Sequence, residues 1–351
     1  MKIEPFALER WLTAHELNVE YDIAESGIFP LSARDLLDLI PEDERSGELQ
    51  RLLDLRLGYS EAPGSLKLRT LLAQTYEGCG PDNILVTTGA IEANFLLFNV
   101  LLNPGDHVVA PYPAYQQLYS VPRALGCEVS LWRISDEGSF RFDLDELARL
   151  LRPETRLVVI NSPHNPTGAM LTPGKVQRVY DLADSVGARV MSEEAYRWLA
   201  VPGGFEPPPP MYDLGPAGIS VGTFSKPFGL PGLRIGWMAA PAEIAAECWA
   251  MRDYVSLSPG KLNDALAVLA LEHREQIFQR NAAIIEANLA TANRWVTKHA
   301  ELLSWTPPCG GLLALLKYNL DIASLDLANR LAEDYGVMLA PGSAFGFEHH
   351  L

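Results

Sequence analysis

The segment from about residue 82 to residue 240 limits the possible folds most. It alternates short apolar, β-branched runs with amphipathic helical patterns. The strand candidates are residues 84–87, 107–110, 128–132, 157–160, 189–191, 219–223 and 234–238. Most are continuously apolar, the pattern of strands covered on both faces. Between two of them, Thr172-Pro173 reads as an N-cap followed by Pro at the first helical position. Val176, Val179, Tyr180 and Ala183 then recur at helical spacing. Strand, helix, strand in alternation predicts an α/β fold: a three-layer αβα domain around a mostly parallel seven-stranded sheet.

Beyond the sheet, residues 261–299 read as one long helical region rich in Ala, Leu, Ile and Glu. Residues 312–316 read as a strand, 325–335 as a helix and 337–339 as a strand. That is a smaller α+β unit, and the first 45 or so residues are expected to pack with it. The expected division is residues 46–285 as the large domain, and 1–45 with 286–351 as the small one. The run Pro207-Pro208-Pro209-Pro210 reads as a surface loop.

Charge excludes several functions. The 44 acidic and 28 basic side chains give a net charge of −16. No Lys/Arg block offers a footprint for nucleic-acid phosphates. No apolar run approaches the roughly 20 residues that span a bilayer. The opening Met1-Lys2-Ile3-Glu4-Pro5-Phe6 lacks the apolar stretch of a signal peptide, so a cytoplasmic location is expected. Cys79, Cys127, Cys248 and Cys309 are widely spaced, which argues for reduced thiols with neither disulfides nor a metal site.

The segment with the most chemistry runs from Val221 to Trp237. Lys226 ends a predicted strand, preceded by Thr223 and Ser225 and followed by three glycines and Arg234. Hydroxyls and Arg suit a phosphate, and a desolvated lysine amine suits Schiff-base chemistry. An ordinary surface lysine at a strand end is the plainer alternative.

Here the sequence resembles the class I/II aminotransferases, fold-type-I enzymes that use pyridoxal 5′-phosphate (PLP). Their S/T-x-S-K…R-x-G stretch matches this segment. The resemblance implies that Lys226 forms the Schiff base with the cofactor and that Thr223, Ser225 and Arg234 hold its phosphate. Thr87-Thr88-Gly89-Ala90-Ile91-Glu92-Ala93 matches the family's phosphate turn, with Gly89, Ala90 and Ile91 in the binding positions. Pro111-Tyr112-Pro113-Ala114-Tyr115 supplies an aromatic ring for the pyridine face, Tyr115 first and Tyr112 in reserve. Asn161-Ser162-Pro163-His164-Asn165-Pro166-Thr167-Gly168 matches N-P-x-N-P-T-G, whose second Asn, here Asn165, bonds the phenolic oxygen. His164 occupies a variable position that faces away from the chemistry.

Ser192-Glu193-Glu194-Ala195-Tyr196 stands where the family has Asp-Glu-x-Tyr. Tyr196 fits the phenolic-oxygen ligand. Glu193 replaces the Asp that bonds the pyridine nitrogen, with one extra methylene. Tyr59, in Leu57-Gly58-Tyr59-Ser60, resembles the tyrosine that reaches the neighbouring subunit's cofactor, which implies a homodimer. Pro341-Gly342-Ser343-Ala344-Phe345-Gly346 matches P-G-S-x-F-G. The family's carboxylate-binding Arg, a few residues further on, has no counterpart before Leu351, so the small domain is expected to be incomplete. The adjacent His349 and His350 do not face one way as a metal pair would.

The implied activity is amino transfer between an L-amino acid and a 2-keto acid, with Lys226 as general base, in amino-acid metabolism. Two alternatives remain. A substrate with a β or γ leaving group would make the chain a lyase or cyclase. The opening Ile3–Trp11 (residues 3–11) and Glu25-Ser26-Gly27 resemble the subgroup of capreomycidine-type synthases, which use hydroxylated arginines. A non-catalytic protein on the same fold is the second alternative.

Overall fold

The computed structural model describes residues 2–134, 139–199 and 206–351. Its central sheet has seven strands: β1 (Ile84–Thr87), β2 (His107–Tyr112), β3 (Glu128–Arg133), β4 (Thr155–Asn161), β5 (Arg189–Glu193), β6 (Gly218–Thr223) and β7 (Gly236–Ala239). Their order across the sheet is β1-β7-β6-β5-β4-β2-β3. Only β7 runs antiparallel to its neighbours, β1 and β6. The sheet is therefore mostly parallel, as the alternating pattern predicts.

Side chains alternate between the two faces, as strand geometry requires. Val86 and Trp237 join Leu68, Leu72, Phe224 and Leu269 in one buried cluster. Their neighbours Leu85 and Met238 join Leu96, Leu97, Val108 and Leu118 in another. A third cluster packs Val158, Ile160 and Val190 against Val176, Val179 and Ala183 of the helix Pro173–Asp184. Helices thus cover both faces and give the three layers.

The C-terminal unit contains the antiparallel pair Leu303–Trp305 and Leu316–Tyr318 and the helix Ser324–Tyr335. Val337–Met338 pairs in parallel with Tyr21–Asp22, so the N-terminal segment supplies one of its strands. Trp11, on the helix Ala7–His15, packs with Tyr318, Ala328, Met338 and Leu351. Its indole Nε1 donates to Asn329 Oδ1 at 2.8 Å. Leu36 and Ile40, by contrast, lie in the cluster that holds Val86 and Trp237.

Three local expectations are corrected. The region 261–299 is two helices, Lys261–Glu272 and Arg274–Lys298. His273 leaves the helical region at φ −107°, ψ 20°, which ends the first ladder. The strand expected at 312–316 forms at Leu316–Tyr318 instead. Leu312 and Leu313 follow Gly311 at φ +76° and pack against Tyr196 and Ile285, so their apolar side chains serve packing rather than a strand ladder. The strand expected at 234–238 starts at Gly236, because Arg234 is left-handed.

Trp11 anchors the N-terminal helix to the C-terminal unit. Trp11→Ala is expected to lower the unfolding free energy by about 3–5 kcal/mol, the usual cost of deleting a buried large aromatic. Urea denaturation followed by fluorescence checks this; a midpoint equal to the parent's would show that the helix is not anchored there.

Candidate active site

The candidate residues gather at the C-terminal ends of the parallel strands, where open α/β sheets bind ligands. The cross-strand register Thr87–Gly236–Thr223 sets one side of the site. Beyond Thr87 the chain turns at Gly89, with φ +78°, into the helix Ala90–Leu101. A Cβ at Gly236 would lie 2.4 Å from the Ala90 nitrogen, so the turn rests directly on this glycine. A Cβ at Gly89 would lie 2.8 Å from Arg234 Nη2, so Gly89 lets the guanidinium approach the turn. Arg234 reaches it from a left-handed conformation at φ 52°, a backbone cost of the kind kept at functional sites. Helix N–H groups and a guanidinium converging on one point form a site for an anion such as phosphate.

On the next strand, Thr223 Oγ1 donates to Ser225 Oγ at 3.0 Å and accepts the Ser225 N–H at 3.1 Å. Both residues are buried. Lys226 follows, and its Nζ donates to Ser26 Oγ at 2.7 Å and to Glu25 Oε1 at 3.3 Å. Glu25-Ser26 thus meets the lysine although 200 residues separate Ser26 from it.

Glu193 ends β5 and is buried. Asn161, opposite it on β4, donates Nδ2 to Glu193 Oε2 at 2.7 Å and to the Glu193 carbonyl at 2.9 Å. Asn161 Oδ1 also accepts the Asn165 N–H at 2.7 Å. Burial pushes the Glu193 carboxyl up to about 7, against the downward pull of the Lys226 ammonium. Tyr196 hydrogen-bonds to the Ser26 and Asn165 side chains, and burial raises its phenol well above the usual range.

The N-terminal segment closes another side. Tyr115 donates its hydroxyl to Glu9 Oε1 at 3.1 Å, and the Phe6 ring lies 4.8 Å from the Tyr115 ring. The Gln116 amide accepts the Ala7 N–H and donates to the Pro5 carbonyl, at 2.9 and 3.0 Å. Ser120 Oγ donates to Glu4 Oε1 at 2.6 Å.

The structure therefore brings together Gly89, Ala90, Thr223, Ser225 and Arg234 around the turn. Glu193, Asn165 and Tyr196 lie near Lys226, with Tyr115 on the N-terminal side. Ile91 follows the turn in the first helical residues and is 40% exposed. Tyr112 faces elsewhere: a Cβ at Gly346 would lie 2.2 Å from its hydroxyl. Tyr59 is 85% exposed and touches none of these residues. His164 is buried, with Nδ1 2.8 Å from Thr167 Oγ1 and its ring edge-on to Phe142. Burial pushes it down to about 3, so it is neutral near pH 7.

Sequence reasoning missed Asn161, Glu9 and the lysine contacts of Glu25 and Ser26. Asn161 is the first Asn of the N-S-P-H-N-P motif, so its position was readable. Residues 9, 25 and 26 lie in the segments that the resemblance to the capreomycidine-type subgroup marked, but their contacts with Tyr115 and Lys226 depend on tertiary folding and could not be read locally.

The Glu193 titration yields a test. The folded protein binds this proton more tightly than the unfolded chain does, because its carboxyl titrates at about 7 rather than 4.5. Its contribution to stability is complete below about pH 4.5 and is lost as pH rises through about 7. The loss is on the order of 3 kcal/mol. Glu193→Gln is expected to flatten that decline in urea titrations of cofactor-free protein; an unchanged pH profile would assign the titration to another group.

Comparison with known proteins agrees with this geometry. The family model for aminotransferase class I and II matches residues 27–351. Capreomycidine synthase of Streptomyces vinaceus is 32% identical over 97% of this chain and 86% of its own length. An arginine–pyruvate transaminase of Pseudomonas aeruginosa is 26% identical over 82% of this chain and 75% of its own. A PLP-dependent aminotransferase from Streptococcus suis superposes at TM-score 0.92 with 35% identity, covering all of this chain and 92% of that one. The PLP-dependent cyclase OrfR superposes at 0.90 with 32% identity and the same coverage. Among the described residues no helix is long and apolar enough to cross a membrane. The chain belongs to the aminotransferase class I and II family, and its cofactor is pyridoxal 5′-phosphate.

Proposed function

We propose that this enzyme acts on an L-amino acid with a cationic, guanidinium-type side chain, eliminating a β-substituent and closing a ring. The observation that carries the reading is the pair of N-terminal carboxylates in the site. Glu9 sits on Tyr115 and Glu25 on Lys226. One carboxylate on the lysine and another on Tyr115 favour a substrate that brings positive charge, because a carboxylate that loses its partner in a partly desolvated site is costly. The similarity to a capreomycidine synthase and to a PLP-dependent cyclase supports the reaction type.

The residues present fit the cofactor. The N–H groups of Ala90 and Ile91, the hydroxyls of Thr223 and Ser225, and Arg234 would form a positive pole for its phosphate, and Gly89, whose own N–H is donated to the Thr87 carbonyl at 2.9 Å, leaves room for it to approach. Glu193 would stand as the carboxylate for the ring nitrogen, its carboxyl raised to about 7 by burial and held by Asn161. Asn165 and Tyr196 would hold the phenolic oxygen, and Tyr115 would supply the aromatic ring. When bound, PLP supplies the electron sink that makes an amino-acid Cα–H acidic. Lys226 anchors the cofactor and, once released, takes the Cα proton as general base. Glu25 then exchanges the Lys226 ammonium for the substrate's cation. The segment from Glu4 to Glu9 excludes water from the Tyr115 side, which suits attack by an internal nucleophile. Balanced overall, a β-hydroxylated arginine would lose one water and gain one C–N bond.

Amino transfer is the second reading, favoured by the arginine–pyruvate transaminase and by the Streptococcus suis structure. In either reading we take the enzyme to act as a homodimer, with Tyr59 reaching the neighbouring subunit's cofactor; the exposure of Tyr59, Leu53 and Leu57 supports this.

Product analysis and two substitutions test the proposal. Purified yellow protein is incubated with β-hydroxyarginine, or with arginine plus pyruvate, and products are read by mass spectrometry. A cyclic product lighter by one water is expected from the first. Alanine and a keto acid from the second, with no cyclic product, would make amino transfer the activity. Lys226→Ala is expected to lose about 1,000-fold or more in rate. Glu9→Gln is expected to raise KM for the cationic substrate about tenfold while leaving KM for an uncharged analogue unchanged. An equal rise for both would remove Glu9 from side-chain recognition.

A further inference from the structure

We propose that Arg252 is a positioning residue for the phosphate turn. Its guanidinium ties the strand that enters the turn, the helix that leaves it and the loop that carries Tyr59. Arg252 ends the helix Ala242–Arg252 and is wholly buried. Nη1 donates to the Val86 carbonyl at 2.6 Å and to the Ala62 carbonyl at 2.8 Å. Val86 is the next-to-last residue of β1, and Ala62 lies three residues past Tyr59. Nε donates to Ser256 Oγ at 3.0 Å and lies 3.6 Å from Glu92 Oε2. Glu92 sits in the first turn of the helix Ala90–Leu101, and the same oxygen accepts the Thr88 N–H at 2.5 Å.

One planar fork therefore reaches both sides of the Thr88-Gly89 turn. Val86 also donates its N–H to the Pro63 carbonyl at 3.0 Å, so the Tyr59 loop lies along the same strand. Nη1 and Nε carry all of these contacts, while Nη2 and Glu92 Oε1 are buried without a hydrogen-bond partner; a buried guanidinium is retained where its charge and most of its donors are held. Its donors have fixed relative directions, unlike those of a lysine ammonium. The three segments consequently keep one register, and the N–H groups of the turn stay aimed at the point that Arg234 also approaches. Small misplacements of a binding group cost disproportionately. Arg252 touches neither cofactor nor substrate; it acts through Val86 and Glu92.

The inference rests on the reading that residues 89–91 hold the phosphate. The test is the affinity of cofactor-free protein for PLP and for pyridoxal, which lacks the phosphate, followed by absorbance. Arg252→Lys keeps the charge and loses the fork. Affinity for PLP is expected to fall about tenfold and affinity for pyridoxal to stay unchanged. If Arg252→Lys does not fold, the pair Arg252→Met with Glu92→Gln removes both buried charges and serves in its place, with the same expected result. Equal losses for the two ligands, or no loss for either, would overturn the positioning role. Arg234→Ala separates this outcome from failure of the parent reading. It must itself cost PLP affinity; if it does not, the phosphate site has been assigned wrongly. A loss with Arg234→Ala and none with Arg252→Lys sinks the positioning role alone.

Discussion

Gly236 lies between Thr87 and Thr223 in the sheet, and a Cβ there would come within 2.4 Å of the Ala90 nitrogen. That contact sets the height of the Gly89 turn above the sheet. Gly236 comes two residues after Arg234, whose left-handed backbone sends β7 back against its neighbours. The antiparallel direction of β7 has a functional consequence. An antiparallel strand begins at the sheet edge where its parallel neighbours end. Its first residues therefore lie beside the ends of β1 and β6. Arg234, Thr223, Ser225 and Gly89 meet there although they come from three separate stretches of chain.

The site is electrically divided. Arg234 and the helix N-terminus make one positive pole. Glu25 and Glu193 make the surroundings of Lys226 acidic, and Glu9 adds a carboxylate at Tyr115. Under the proposed function, a PLP site needs the positive pole for the phosphate and one carboxylate at the ring nitrogen. Glu25 and Glu9 lie outside that need, and the proposal assigns them to the substrate. Glu193 also differs in kind from the other two. It is buried and held by Asn161, whereas Glu25 is about half exposed at its ion pair. The buried carboxyl is tuned by desolvation; the exposed one is free to change partners.

Much of this was legible in the sequence where physics acts locally. All seven strands were readable, most of them because burial on both faces forces continuous β-branched runs; the partly exposed Glu128–Arg133 and the Gly236–Ala239 strand do not follow that pattern. The helix Pro173–Asp184 was readable from its capping pattern and from the spacing of Val176, Val179 and Tyr180. Lys226, Asn165, Tyr196 and Arg234 were readable because each ends or follows a strand in a distinctive motif. The break at His273 was not, since helix-forming residues flank it on both sides. The strand at Leu316–Tyr318 was misplaced because the apolar run 312–316 meets a need for packing rather than for a ladder. Arg252 carried no signal at all. A buried arginine looks like a surface arginine until the acceptors Val86, Ala62 and Glu92 are brought to it.

The N-terminal helix joins two parts of the molecule that the motifs treat separately. Glu9 and Trp11 lie on it two residues apart. Glu9 accepts the Tyr115 hydroxyl, and Trp11 is bonded to Asn329 and packed on Met338 and Leu351. A helix of nine residues is short and stiff, so neither contact moves without the other. Any displacement of the C-terminal unit reaches Tyr115 through this helix. The Gln116 bonds to Pro5 and Ala7 fix its leading end to the large sheet's own loop. The helix therefore links Tyr115 to the C-terminal unit through two residues, Glu9 by a hydrogen bond and Trp11 by packing.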